Sequence, residues 1–93
     1  MKERIIVSHA DGSVDIHDDA ERPSLEEMQA FVGGFVQMLG TGVQTQYFGN
    51  EEGRYSCEEN KYAQELLAAH DILERRELFG TIVILSGDKV LWD

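Results

Sequence analysis

The apolar positions of the chain fall into short runs of different period. Ile5, Ile6 and Val7 form a β-branched run, and beyond Asp11-Gly12 the residues Val14 and Ile16 alternate with Ser13, Asp15 and His17. Asp-Gly between two such runs signals a hairpin, because the favoured two-residue turn needs φ > 0 at its centre. Strands are predicted at about 3–8 and 13–17, followed by a polar connection over 18–23. Ser24 and Glu27 then stand at capping-box spacing. Behind them Leu25, Met28, Val32, Phe35, Val36 and Leu39 recur at helical spacing, which predicts one helix ended by Gly40, with Gly33-Gly34 inside it to let it lie close to a sheet.

The second half repeats the alternation of strand and helix. Val43 to Phe48 carries the Thr, Tyr and Phe that suit a strand. Gly49 to Gly53 reads as a turn, and Arg54 to Cys57 as a short return strand. Asn60 is placed to cap a helix running to about Ala69, with Tyr62, Ala63, Leu66 and Leu67 inward. His70-Asp71 is ambiguous, and Ile72 to Phe79 reads as a separate helical turn or a loop. Thr81 to Leu85 is almost wholly apolar, the pattern of a central strand buried on both faces. Ser86 to Lys89 forms a turn, and Val90-Leu91-Trp92 is expected to pair back as an edge strand, with Trp92 as a lid on the core. The order ββαββα(α)ββ with strands in hairpin pairs predicts an α+β fold, a largely antiparallel sheet with two or three helices on one face.

Composition narrows the function classes. The chain has 93 residues, 42% hydrophobic, so residues 1–93 are expected to form one small domain with a thin core. Eighteen acids against eight Lys plus Arg give a net charge of -10. That balance argues against nucleic acid as a direct partner and against anionic lipid, since both are bound through cations. Arg75-Arg76 is flanked by Glu74 and Glu77 and makes no basic patch. No apolar run reaches signal-peptide or membrane-spanning length. Cys57 is alone, which excludes an intrachain disulfide and fits a reduced, cytoplasmic setting.

The chemistry-bearing residues are few. His9, Asp11 and His17, with Asp18 and Asp19, are the only set with transition-metal character, and nothing in their spacing enforces convergence. A solvated polar turn is the default explanation for His and Asp at such positions, so no metal ligand is assigned. Glu51-Glu52 and Glu58-Glu59 are paired carboxylates. The first pair sits in a turn, and the second precedes a helix, where negative charge is stabilising by about 0.3–1 kcal/mol. The same acids make Cys57 a poor thiolate. No Walker loop, GxGxxG or GxSxG is present, so no catalytic residue and no cofactor are expected.

Three blocks carry a family resemblance: IIVSHADGSV leading to FVGGFVQML, then YFGNEEGRYSCEENKYAQELL, then FGTIVILSGD. In that order they resemble the small proteins of domain of unknown function 3846, which occur largely in bacteriophages, plasmids and their hosts. The resemblance implies a phage or mobile-element origin and an α+β order, and it supplies no catalytic residue. This chain departs in length, with only Cys57-Glu58-Glu59 before Asn60 and a stop at Asp93. The leading expectation is a non-enzymatic accessory or regulatory factor that binds another protein. Alternatives are a DNA mimic using the acids at 15–21, 51–52 and 58–59, and a metal-dependent or small-molecule-binding protein built on His9 and His17. Self-association through exposed sheet edges is a further expectation.

Overall fold

The computed structural model describes residues 2–42, 45–69, 72 and 77–87. Chain order is β1 (Lys2–Ser8), β2 (Val14–Glu21), α1 (Leu25–Val32), β3 (Val36–Gly42), β4 (Thr45–Asn50), α2 (Gly53–Ser56), α3 (Tyr62–Ala69) and β5 (Ile82–Gly87). The fold is α+β, as the sequence predicts. Two hairpins, β1–β2 and β3–β4, are joined by β5, which inserts between them. The sheet order is β2-β1-β5-β4-β3, with every neighbouring pair antiparallel. An isolated antiparallel bridge, Glu59–Phe79, lies outside these five strands.

The all-apolar run of β5 has the physical reason inferred for it. Ile82 and Ile84 point to one face of the sheet and pack with Ile6, Tyr47, Ala63, Leu67, Ile72 and Leu78. Val83 and Leu85 point to the other and pack with Ile5, Val7, Phe48, Met28 and Val32. Successive strand side chains alternate in direction, so a strand covered on both faces must be apolar throughout. This corrects the expected helix placement. α3 covers one face and α1 the other, rather than both helices sharing one side.

The largest correction concerns residues 33–42. α1 begins as predicted: the Ser24 hydroxyl accepts from the Glu27 N–H, and the Glu27 carboxylate accepts from the Ser24 N–H. It ends at Gly33, which adopts φ +76 in the left-handed region. The N–H groups of Gly33 and Gly34 both donate to the Gln29 carbonyl, closing the helix. Gly33-Gly34 is therefore the stop signal and not an interior pair, and residues beyond it form β3. Leu25 and Phe35, expected on the buried stripe, are exposed.

Three smaller differences follow. β2 runs on through Glu21, so the stretch 18–21 is strand rather than loop. Residues 54–57 fold as the short turn of α2 ending at Cys57, not as a return strand. Tyr62, expected inward, is half exposed at the start of α3. His70-Asp71, residues 73–76 with Arg75-Arg76, and the expected edge strand Val90–Trp92 lie outside the described residues.

Asn60 ties the two halves of the domain together. Its amide NH2 donates to the carbonyls of Ser8 and Gly80, while its carbonyl oxygen accepts from the Ala63 N–H at the head of α3. It is fully buried, so each of these bonds replaces one that water would otherwise make. The helix cap predicted from sequence is thus also the link between β1, α3 and the entry to β5.

Candidate functional site

The candidate chemistry gathers at one end of the β1–β2 hairpin. The turn is closed by the His9 N–H donating to the Ser13 carbonyl and the Gly12 N–H to the His9 carbonyl. Asp11 sits inside it and accepts from both the N–H and the hydroxyl of Ser13, at 2.8 and 2.6 Å. Those two bonds favour the charged form and hold the Asp11 carboxyl below its ordinary value near 3.8. This is the turn role that Asp commonly takes.

His9 bridges three strands. Its Nε2 lies 3.0 Å from the Asp15 carboxylate, and its Nδ1 lies 3.3 Å from the Thr81 hydroxyl. Strand register explains both contacts. Ser8 pairs with Ile82 in β5, which puts His9 opposite Thr81, and Asp15 pairs with Val7 on the face that His9 also uses. The sequence does not identify Asp15 or Thr81 as partners of His9. The β2 alternation places Asp15 on a face with His17, but Thr81 is 72 residues from His9 and only the β1–β5 register brings them together.

The structure separates the proposed ligand pair. His17 pairs with Ile5, four residues along β1 from His9. At about 3.3 Å per strand residue the two positions are roughly 13 Å apart. A single ion needs all its ligand atoms within about 2.0–2.2 Å of it, so His9 and His17 cannot share one. Among the described residues no three His, Cys, Asp or Glu side chains are grouped to hold a metal.

A hydroxyl, an imidazole and a carboxylate in series is an order used for nucleophilic catalysis, which also needs oxyanion donors and a substrate position about 3 Å from the nucleophile. The Thr81 contact is 3.3 Å long, and the Asp15 carboxylate is mostly exposed. The cluster links the ends of β1 and β2 to the entry of β5.

The acids do not converge. Asp15, Asp18 and Glu21 are exposed along β2, with Asp18 paired to Arg4 across the hairpin. Glu51 and Glu52 follow β4, three strands away, while Glu58 and Glu59 lie exposed near the entry to β5. Cys57 is partly buried beside Gly80, where an added Cβ would stand 2.9 Å from its Sγ.

What the fold does present is a pair of unlike edges. On β2, Val14 and Ile16 share the α3 side with Ile6 yet remain 38% and 56% exposed. The Tyr62 ring, 49% exposed, lies over Gly12 at the head of this stripe. On β3 no residue from Val36 to Gly42 is ionisable, and Met38 and the preceding Phe35 are 52% and 70% exposed.

Comparison of the chain with family models, with curated proteins and with solved structures finds no match. Among the described residues no helix is long and apolar enough to cross a membrane.

Proposed function

We propose that this chain is a non-enzymatic accessory or regulatory factor that acts by binding another protein, through the β2 edge and the adjoining start of α3. The observation that carries this reading is the exposed stripe of Tyr62, Val14 and Ile16, continued on the same face by the exposed Asp18. Apolar groups at the centre with charged groups around them is the usual layout of a recognition surface. The rim and the net charge of -10 select a partner that offers aliphatic contact bordered by Lys or Arg.

The DNA-mimic alternative asks the acids at 15–21, 51–52 and 58–59 to share one face. The spread of those acids from the β2 edge to the far end of β4 weighs against it. The metal or small-molecule alternative loses its two-histidine basis through the separation of His9 from His17. A phage or mobile-element origin, and a cytoplasmic place of action in the host, remain part of the proposal. They rest on the resemblance of the three sequence blocks and on the lone thiol.

Affinity capture from the host with wild-type protein and with Ile16→Glu tests the reading. A reproducible partner retained by wild type, released by raised salt and absent with the variant is the expected result. Recovery of the same proteins with both baits contradicts it.

A further inference from the structure

We propose that Asp11-Gly12 is a modification site, at which Asp11 converts spontaneously to isoaspartate through a succinimide, and that Ser13 is the residue that restrains this conversion in the folded chain. The inference is independent of the proposed function, because it concerns the covalent fate of the turn between β1 and β2.

The sequence supplies the reactive pair. Gly12 has no side chain to shield its nitrogen from the carboxyl group of the residue before it. In the first step the Gly12 nitrogen gives up its proton and bonds to Cγ of Asp11, and one carboxyl oxygen leaves as water. In the second step water opens the five-membered ring. Breaking the nitrogen bond to Cγ regenerates aspartate, whereas breaking the nitrogen bond to the main-chain carbonyl carbon gives isoaspartate. The water lost in the first step is regained in the second, and nothing is oxidised or reduced. The main chain of the product runs through Cβ and Cγ and is one atom longer.

The fold engages both reacting groups. Asp11 Oδ1 accepts from the Ser13 N–H at 2.8 Å and from the Ser13 hydroxyl at 2.6 Å, which holds the carboxylate toward Ser13. The Gly12 N–H donates to the His9 carbonyl at 3.0 Å. Gly12 adopts φ +95, and the Tyr62 ring comes within 3.2 Å of where a Cβ on Gly12 would stand, so one side of the turn is covered. Ring closure must release the carboxylate from Ser13 and the Gly12 nitrogen from His9 together. Bonds to a charged acceptor are the stronger kind, so Ser13 supplies the larger part of the restraint. The same two bonds favour the ionised carboxyl, the form from which an oxygen leaves less readily. Asp11 is exposed, so water reaches the ring once it has formed. The extra main-chain atom then enters a turn closed by the His9 N–H and the Ser13 carbonyl, beneath Tyr62.

Peptide mapping with electron-transfer fragmentation, over a time course at neutral pH, measures isoaspartate at position 11 in the full chain. Folded wild type is expected to convert slowly, and wild type unfolded in guanidinium about tenfold faster or more, because every bond of the turn is then lost. Ser13→Ala removes the hydroxyl donor and is expected to convert about fivefold faster than wild type while folded. Ser13→Thr keeps both donors and is expected to convert at the wild-type rate. Far-ultraviolet circular dichroism confirms that each variant is folded, and the comparison of folded with unfolded wild type needs no variant. Equal rates in folded and unfolded wild type overturn the proposal. So does a folded Ser13→Ala that converts at the wild-type rate, or an unfolded chain that forms no isoaspartate at position 11.

Discussion

The two outer strands of this sheet among the described residues, β2 and β3, are built from the same backbone geometry and opposite chemistry. β2 alternates apolar Val14 and Ile16 with Asp15 and His17, and runs on into Asp18, Asp19 and Glu21. β3 reads Val-Gln-Met-Leu-Gly-Thr-Gly, with no charge at all. An edge strand is a template for any other strand, and charge is one of the commonest ways of closing it. In a chain of net charge -10 the absence of any ionisable group from one whole edge is the more informative half of the contrast. Acidity here is not spread as a uniform coat. It leaves β3 without an ionisable side chain and gives β2 a run of acids.

The strongest challenge to this contrast comes from the strand both edges share. Ile84 in β5 is fully buried, paired with Ile6 of β1 and Tyr47 of β4. Ile84→Ala is expected to lose about 2–5 kcal/mol, since it opens a cavity at the centre of one core layer. Denaturant unfolding followed by circular dichroism measures it. One cooperative transition, shifted as a whole, means that the edges differ in chemistry and not in independent stability. Two separated transitions make the hairpins distinct folding units and remove the basis for comparing them as edges of one sheet.

A smaller effect is expected from a change confined to the β3 side. An added Cβ at Gly40 would collide with the Oη of Tyr47 and stand 2.6 Å from its Cζ. Tyr47 is buried against the core and cannot swing away, so the ring or the edge strand must move. Gly40→Ala is expected to cost about 1–3 kcal/mol by overpacking. Loss of amide protection in β3 with retention in β1 and β2 is the expected exchange pattern. A variant as stable as wild type shows that β3 adjusts freely to the added methyl group.

The least effect, and the one that sharpens the acidic side, concerns pH. Ser13 holds the Asp11 carboxyl below its ordinary value in the folded turn. A carboxyl whose folded pKa is depressed adds stability above its unfolded pKa and loses that stability as pH falls through the folded one. Wild type is therefore expected to lose stability between about pH 4 and lower pH more steeply than Asp11→Ala, because the unfolded carboxyl titrates near 3.9. Superimposable stability–pH curves for the two proteins contradict that assignment. The β3 edge has no ionisable side chain and makes no corresponding contribution.

How far the fold was legible in sequence follows from which signals were local. Asp11-Gly12 marked the first hairpin and Ser24 with Glu27 the start of α1, because turn and cap chemistry act within four residues. The apolar run 82–85 announced a strand covered on both faces. Periodicity mispredicts the end of α1 because Val32, Phe35, Val36 and Leu39 satisfy helical spacing while also fitting a strand after a break. Gly33 decides between them, and its left-handed backbone is a local signal that the periodicity masked. The insertion of β5 between the hairpins was not legible, since nothing near residue 82 encodes a partner near residue 6 or 47. The candidate site inherits that limit. His9 was visible as chemistry, but its Thr81 contact depends on the β1–β5 register. The contrast of the edges was hidden for the same reason, because a strand's charge has edge meaning only once the strand order is known.

The most direct test of the contrast is residue-resolved amide hydrogen exchange measured at low and at high salt. A charged β2 and an uncharged β3 predict that exchange of Val14–Glu21 changes with salt, because screening weakens charge interactions such as Arg4–Asp18, while exchange of Val36–Gly42 does not. Equal salt dependence in both strands, or none in either, contradicts the contrast.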